Sequence, residues 1–189
     1  AGVDILFAPT VEEMYPDGFD NMLTYVNVIR ITDKLCGATR PGHFRGVTTV
    51  VTKLFNIVKP DAAFFGQKDA QQVVVIKRMV ADLNMDIEIV TVPIVRENDG
   101  LAMSSRNVFL TPDERKSALV LSRSLALSNK LLNSGERSAD KVKDAMRRMI
   151  TAEPNVSIDY ISICDTETLD ELDLVKDRAL VALAVKVGK

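Results

Sequence analysis

The sequence predicts an α/β protein in which a half-domain built on a parallel sheet is followed by a small α+β domain. Strand-like apolar runs alternate with helix-length amphipathic segments as far as Val95, an order typical of a parallel sheet with right-handed crossovers. After Val95 a polar, turn-forming stretch over 96–100 changes the character of the chain. Two helix-length segments and two β-rich runs follow that stretch, and they predict the second, smaller domain.

The elements of the first half are predicted from hydrophobic periodicity and from the residues that interrupt it. Apolar residues recur at helical spacing from Phe44 to Val58, and Lys59-Pro60 ends that helix. Gly66 ends a short buried strand, and Asp69 then begins an amphipathic helix. In chain order we predict strands at 3–9 and 24–29, a helix at 44–58, a strand at 62–65, a helix at 69–84 and a strand at 87–95.

The second half contains a clear helix start. Thr111 is the predicted N-cap, because Pro112 follows it and Glu114 stands at the capping-box position. We expect that helix to run to about residue 133, where Ser134-Gly135 ends it. The remaining predicted elements are a helix at 139–152, strands at 157–164 and 178–187, and a short helical turn at 168–172. A domain boundary is expected within 96–110.

Composition and charge exclude several classes of function. The 24 Lys and Arg are spread along the chain and are outnumbered by 26 Asp and Glu, so no nucleic-acid partner is expected. No apolar run approaches the roughly 20 residues that span a bilayer, so no membrane partner is expected. Cys36 and Cys164 lie far apart and outside any CxxC pattern, which favours reduced thiols in a cytoplasmic protein. The chain opens on a strand-like run without an initiator Met, and we expect an upstream part of the fold to lie outside it.

The first candidate site segment is Gly66–Gln72, which follows a predicted strand and opens a helix. Gly66 permits close approach of a ligand to the backbone. Lys68 can bind phosphate oxygens together with unpaired helix N–H groups, and Asp69 can accept hydrogen bonds from ribose hydroxyls or cap the helix. The amides of Gln71 and Gln72 can both donate to and accept from a hydroxy acid. Taken alone, the segment also fits a glycine turn with an Asp N-cap and two exposed glutamines.

The second candidate site segment is Met103–Asn107, a hydroxyl-rich loop that we expect to be flexible. Ser104 and Ser105 can donate to phosphate oxygens, and Arg106 can bind a phosphate bidentately or neutralise charge on a leaving group. The segment also fits an inter-domain linker with solvated side chains. The two segments bracket a helix and a strand, and together they resemble two walls of a nucleotide site.

Specific motifs in order along the chain narrow these alternatives. They are Arg40-Pro-Gly-His-Phe-Arg-Gly-Val47, Lys53-Leu-Phe-Asn56, Phe65-Gly-Gln-Lys-Asp-Ala-Gln-Gln72 and Met103-Ser-Ser-Arg-Asn107. This order resembles the pantothenate synthetase (pantoate–β-alanine ligase) family. The resemblance implies the Rossmann-like fold of the HIGH/KMSKS nucleotidylyltransferases, with residues 1–96 as the remainder of the nucleotide-binding domain. Residues 97–189 would form an α+β lid domain that carries a KMSKS-like loop at Met103–Asn107.

The activity implied by the resemblance is an AMP-forming carbon–nitrogen ligation in pantothenate biosynthesis and the coenzyme A pathway. ATP, with Mg²⁺, and (R)-pantoate would give pantoyl adenylate and pyrophosphate, and β-alanine would then displace AMP to give pantothenate. The family is dimeric, so a homodimer is expected. Its HxGH motif and acidic magnesium-binding residues belong to an N-terminal part that is absent here, so no metal ligand is predicted in this chain. We therefore expect the chain alone to be an incomplete, poorly active enzyme.

The resemblance also implies roles for individual residues. Implied contacts to ATP are made by Gly66, Gln67, Lys68, Asp69, Val95, Met103, Ser104, Ser105 and Arg106. The catalytic contacts to phosphate are assigned to Lys68, Ser104, Ser105 and Arg106. Gly66 and Asp69 would hold the ribose, and Val95 would lie by the adenine. Gln72 would bind pantoate.

Two of the implied ATP contacts depart from the family pattern, and the motifs also leave some roles open. Gln67 replaces a usual Glu and Met103 replaces a common Leu, and we expect both changes to be tolerated. His43 is the only histidine, and a structural role and a substrate or loop contact stay open for it and for Arg40. Arg45 lies at a helix start, where a cation opposes the helix dipole, which mildly favours a binding role.

Two alternatives to the ligase remain open from the sequence. One is a non-catalytic nucleotide-binding or oligomerisation module that retains remnants of a nucleotide site. The other is a different member of the nucleotidylyltransferase group, such as a cytidylyltransferase, which base preference would separate from an ATP-dependent ligase.

Overall fold

A computed structural model describes residues 2–188 of the chain. Within this range the helices are α1 (Val11–Met14), α2 (Cys36–Thr39), α3 (His43–Val58), α4 (Ala70–Asp82), α5 (Pro112–Ala118), α6 (Val120–Asn133) and α7 (Ala139–Thr151). The strands are β1 (Ala62–Gly66), β2 (Glu88–Val92), β3 (Val156–Cys164) and β4 (Leu180–Val187). Short 3₁₀ turns cover Phe19–Asn21, Ile31–Asp33, Gln67–Asp69 and Ser105–Phe109.

The parallel sheet of the first half is confirmed. β1 and β2 pair in parallel in a register that runs from Ala62 opposite Glu88 to Gly66 opposite Val92, and α4 forms the crossover between them. Because the strands are parallel, their carboxyl ends meet at the same edge of the sheet. Both candidate site segments start from this edge.

The strand predictions at 3–9 and 24–29 are wrong. The chain at 3–8 forms no β-ladder with any other part of residues 2–188, and Ile5 and Leu6 are 86% and 84% exposed. At 24–29 the backbone bonds to a helix instead of a strand. Val26 N–H donates to Thr49 Oγ1 at 3.1 Å, and Thr48 Oγ1 donates to the Val26 carbonyl at 2.6 Å. The alternation of polar and apolar residues therefore indicates an extended chain that is buried on one side. Threonine hydroxyls of α3 bond its backbone where a neighbouring strand would do so in a sheet.

The second half contains the predicted helices and an antiparallel β3–β4 pair, with an irregularity in register between Ile158 and Tyr160. The helix predicted over 111–133 is divided into α5 and α6 at Leu119, whose N–H bonds the Lys116 carbonyl three residues back. The helical turn predicted at 168–172 is absent from the described chain. The Asp165 side chain accepts from the Glu167 and Thr168 amides there, and this turn replaces a helix start.

One hydrophobic cluster packs both halves of the chain together. Ile31, Phe44 and Val75 of the first half lie in one buried cluster with Cys164 and Leu169 of the second. A second cluster packs α6 and α7 against the β3–β4 pair within the second half. The domain boundary within 96–110 stays a prediction, but the shared cluster fixes β3 against the helix that carries the first site segment.

Within residues 2–188 both cysteines are free thiols, and burial raises the pKa of Cys164. No helix in the same range is long and apolar enough to cross a membrane.

Candidate functional site

The first segment leaves the sheet edge at Gly66, the last residue of β1. Its backbone is extended, with φ −71° and ψ 131°, and no heavy atom lies within 4 Å of the position a Cβ would occupy. Gln67–Asp69 form a single 3₁₀ turn and α4 begins at Ala70. The space beside Gly66 is therefore open to a ligand.

The second segment leaves the same edge through a hairpin over 95–103. Met103 N–H donates to the Val95 carbonyl at 2.9 Å, and Glu97 N–H donates to the Leu101 carbonyl at 2.8 Å. Gly100 closes the turn with φ 93°, a backbone conformation that only glycine adopts without strain. The hairpin thus leads directly into Ser104, and the flexibility expected for Met103–Asn107 stays a prediction.

Ser104 begins the 3₁₀ turn that carries the rest of the second segment. Its Oγ accepts from Arg106 N–H at 3.2 Å, so the Ser104 hydroxyl hydrogen stays available to a ligand. Because the cap is local, the serine and the arginine that the sequence placed in one motif are held in a fixed relation to each other.

A cavity of about 370 Å³ joins the two segments. Lys68 from the first segment and Ser104 and Arg106 from the second line it, together with Arg96 from the hairpin. Its floor is apolar and is formed by Leu101, Leu110, Leu121 and Val185. No acidic residue from the described part of the chain lines this cavity. Three cations around an apolar floor favour an anionic ligand that also carries an apolar or aromatic group.

Other predicted site residues lie around this cavity and do not line it. Asp69 lies 3.7 Å from the Lys68 ammonium through its Oδ1. Val95 is 59% exposed at the end of the sheet edge, and Met103 is 56% exposed and faces a shallow depression beside Glu97. The exposed or half-buried remainder comprises Gln67, Gln72 and Ser105.

Gln71 has a different role from the one its residue type predicts. Its side chain is buried, and Nε2 donates to the carbonyls of Ile31 and Lys34 at 2.9 and 2.7 Å. The amide hydrogens are therefore used to hold the 31–34 turn against α4 and are not free for a hydroxy acid. Gln72 is half-buried in the same helical turn, and its pantoate-binding role stays a prediction.

His43, at the start of α3, lies within the electrostatic influence of the first segment. Burial lowers its pKa, the nearby Arg40 lowers it further, and Asp69 acts in the opposite direction. The lowered pKa favours the neutral imidazole, and Arg40 and Asp69 both act on it.

The lone histidine offers a direct check of this neighbourhood. In an NMR titration its imidazole is expected to have a pKa below its ordinary 6.5. Arg40→Ala should raise that pKa and Asp69→Asn should lower it, because each removes one of the two charges. Arg147→Ala on α7 is the control and should leave the titration unchanged. If neither substitution changes the pKa of the imidazole, His43 does not belong to the same neighbourhood as Arg40 and Asp69.

Several residues of the site carried no clear signal in the sequence. Arg96 lies in a stretch that looked like a polar turn, yet it lines the cavity. Arg115 donates to Glu97 and Asp99 of the hairpin from α5. Burial raises the pKa of Tyr160 to about 12, and Cys36 and Asp69 are among the neighbours that contribute. Each of these contacts joins residues far apart in the chain, so no local pattern could reveal them.

Comparison with known proteins agrees with the resemblance that the motifs carry. The model of the pantoate-beta-alanine ligase family matches residues 1–189. The chain belongs to the pantoate–β-alanine ligase family. Relatives named pantothenate synthetase are 61% identical over 188 residues in Acetivibrio thermocellus and 62% identical over 188 residues in Pelotomaculum thermopropionicum. All of this chain is matched in both cases, and it spans 66% of the length of each relative.

Solved structures of the family agree with the fold. Pantothenate synthetase from Thermus thermophilus superposes with a TM-score of 0.92 at 46% identity, over 98% of this chain and 66% of that one. The enzyme from Francisella tularensis, complexed with beta-gamma ATP and beta-alanine, superposes with a TM-score of 0.64 at 27% identity, over 94% of this chain and 58% of that one. The family assignment made from the order of the motifs is confirmed.

Proposed function

We propose that this protein takes part in the ATP-dependent joining of (R)-pantoate and β-alanine to give pantothenate. In the first step a pantoate carboxylate oxygen attacks the α-phosphorus of ATP and pyrophosphate leaves, which forms pantoyl adenylate. In the second step the β-alanine amine attacks the acyl carbon and AMP leaves. The observation that carries the proposal is the convergence of Lys68, Ser104 and Arg106 on one cavity in a chain of this family.

The triphosphate would lie between the two segments. Lys68 supplies a compact charge, Arg106 a planar fork of donors, and Ser104 a hydroxyl donor, and each favours the negative charge that builds up as pyrophosphate departs. Arg96, which lines the cavity, and Ser105, which follows Ser104 in the chain, would add further donors. The protein forms no covalent bond in either step, so alignment and charge stabilisation supply the catalysis.

The nucleoside would occupy the sheet edge. Gly66 leaves open space for the ribose, whose hydroxyls can donate to Asp69. Val95, 59% exposed, offers an apolar surface for the adenine. Gln72 would bind pantoate from the first turn of α4. Gln67 and Met103 would contribute through the backbone and through packing.

Magnesium would enter with the nucleotide. Among residues 2–188 no group of three or more His, Cys, Asp or Glu side chains is arranged to hold a metal ion. The residues present therefore fit an ion held by phosphate oxygens and water, and not a metal site built by this chain. Mg²⁺ would supply charge neutralisation at the phosphates when bound.

The full reaction is proposed for a longer protein than this chain. The chain spans 66% of the length of the relatives, which therefore carry a further part that is not matched here. We place an N-terminal HxGH segment and the acidic magnesium-binding residues in that part, and expect this chain alone to bind nucleotide weakly and to turn over poorly. A homodimer and a cytoplasmic location, with reduced Cys36 and Cys164, complete the proposal.

Pantoate-dependent exchange between ATP and pyrophosphate tests the proposal. It should be measured on this chain and on the extended protein, in which the proposed N-terminal part precedes this chain. Exchange that requires pantoate and appears only in the extended protein supports the ligase. Exchange with CTP in place of ATP would support a cytidylyltransferase, and a folded extended protein without exchange would support a non-catalytic module.

Gly66→Ala separates the nucleotide site from folding. Alanine adopts the Gly66 backbone conformation without strain, and its Cβ meets no protein atom within 4 Å, so stability should change by less than about 0.5 kcal/mol. The methyl group would occupy the space assigned to the ribose, and ATP affinity measured by calorimetry should fall about tenfold. Unchanged affinity in the folded variant would place the ribose elsewhere.

A further inference from the structure

A chain of charged and amide groups connects α5 to the second site segment. Arg115 Nε donates to Asp99 Oδ2 at 2.8 Å, and Arg115 Nη2 donates to Glu97 Oε2 at 2.6 Å. The three side chains are each about one third exposed, at 33% for Arg115, 32% for Glu97 and 34% for Asp99. Arg115 therefore clamps two positions of the hairpin with one guanidinium group.

Glu97 connects Arg115 to Asn107, the last residue of the second site segment. Its second oxygen, Oε1, accepts from Asn107 Nδ2 at 2.7 Å, and the same Nδ2 donates to the Ala102 carbonyl at 3.0 Å. Asn107 directly follows Arg106, and its own N–H donates to the Ser104 carbonyl at 3.1 Å. One carboxylate thus links the helix to the turn that presents Ser104 and Arg106.

The charges of this linkage persist at neutral pH. Hydrogen bonds from Arg115, and then from Asn107, hold the pKa of Glu97 below its ordinary value. The Leu101 N–H donates to Asp99 Oδ1 at 3.1 Å, and this bond and Arg115 lower the pKa of Asp99. Both carboxylates are therefore ionised at neutral pH.

We propose that Arg115 is a positioning residue, which acts through Glu97 and Asn107 to hold Ser104 and Arg106 at the phosphate-binding cavity. This inference rests on the proposed function. Arg115 and Glu97 are not among the described residues that line the cavity, whereas Asn107 lines it. Arg115 therefore affects a nucleotide through the linkage and not by contact.

The geometry requires a guanidinium at position 115. Two carboxylates of one hairpin turn accept from different nitrogens of one planar group, which a lysine ammonium cannot reproduce. Arg115→Lys is accordingly expected to keep the charge and to restore only part of the ordering. Glu97→Gln keeps the side-chain volume but loses the charge and one of the two accepting oxygens, so it should resemble loss of Arg115.

A double-mutant cycle on this chain tests the linkage without any ligand. Arg115→Met, Asn107→Ala and the double variant are compared by hydrogen exchange at the amides of Met103, Arg106 and Asn107. Each single variant is expected to speed exchange about tenfold, and the double variant is expected to add little, because both substitutions break the same linkage. Melting temperatures measured alongside show whether the change is confined to the hairpin.

Calorimetric titration with ATP supplies the functional readout. Arg115→Met should weaken ATP binding about tenfold, with partial recovery in Arg115→Lys. Arg123→Met is the matched control, because Arg123 pairs with Glu153 at 2.5 Å on another face and is 54% exposed. This control should leave both exchange and affinity unchanged.

The outcomes distinguish the proposed nucleotide site from the proposed positioning role of Arg115. If the wild-type chain binds no ATP, the proposed nucleotide site fails on this chain, while the exchange cycle still decides the linkage. Additive effects of Arg115→Met and Asn107→Ala, or unchanged exchange in Arg115→Met, would overturn the positioning role. Should Arg115→Met fail to fold, Glu97→Gln decides: rapid exchange confined to the hairpin supports the linkage, and wild-type exchange overturns it.

Discussion

Lys68→Met is expected to lower pantoate-dependent ATP–pyrophosphate exchange by the extended protein by about 100- to 1,000-fold, the range found when a preorganised charge donor is removed from a transition state. Lys68 is the cation that the first segment contributes to the cavity, opposite Ser104 and Arg106. Methionine retains much of the aliphatic stem but offers no charge to the departing pyrophosphate. The initial rate of exchange at saturating ATP and pantoate measures the effect.

Lys77→Met is the matched control for this loss. Lys77 lies on the exposed face of α4, the helix that Lys68 precedes, so the same substitution there should change the rate by less than about twofold. A Lys68→Met protein that is folded and keeps a third or more of the wild-type rate would remove Lys68 from the reaction.

Gly37→Ala is expected to destabilise the fold by about 3 kcal/mol, near the upper end of the range for overpacking. A Cβ at this position would lie 1.9 Å from the Thr32 carbonyl oxygen and 3.2 Å from the Phe44 ring. The backbone around Thr32 has little freedom to move, because Arg30 and Leu35 already have positive φ values of 71° and 47°. Thermal unfolding should show a melting temperature lower by about 10 °C.

Gly66→Ala serves as the control for this effect, since it makes the same chemical change where no atom lies within 4 Å. A Gly37→Ala protein that melts within a degree or two of wild type would show that the 30–37 segment is not packed as described. The consequence would reach the site, because Gln71 of α4 binds the carbonyls of that segment.

Local signals explain which parts of the fold the sequence could predict. The helix α3 follows from apolar spacing closed by Lys59-Pro60, and Gly66 marks the end of β1, because each is set by residues near it in the chain. The extended chain at 24–29 was predicted as a strand because alternation reports burial on one side only. Its actual partners, the hydroxyls of Thr48 and Thr49, lie 22 and 23 residues from Val26 along the chain.

The candidate site likewise has residues that the sequence could predict and residues that it could not. The Lys68 and Ser104–Arg106 segments could be chosen as candidates from the sequence, because in each of them side chains able to bind phosphate follow a predicted strand. The roles of Gln71 and Arg115 could not, since each depends on partners brought close only by folding. Arg115 lies 18 residues from Glu97 and has the sequence context of an ordinary surface arginine on a capped helix.

Calorimetric titration of Mg·ATP into the extended protein tests the central claim most directly, namely that the two segments form one phosphate site. Lys68→Met and Arg106→Met, taken from opposite segments, should each weaken binding about 10- to 100-fold, the range for a lost charge-assisted hydrogen bond. Arg147→Met, on α7 and outside the cavity, should bind as wild type does. If ATP binds and only one of the two segments affects it, or neither does, the shared site is contradicted.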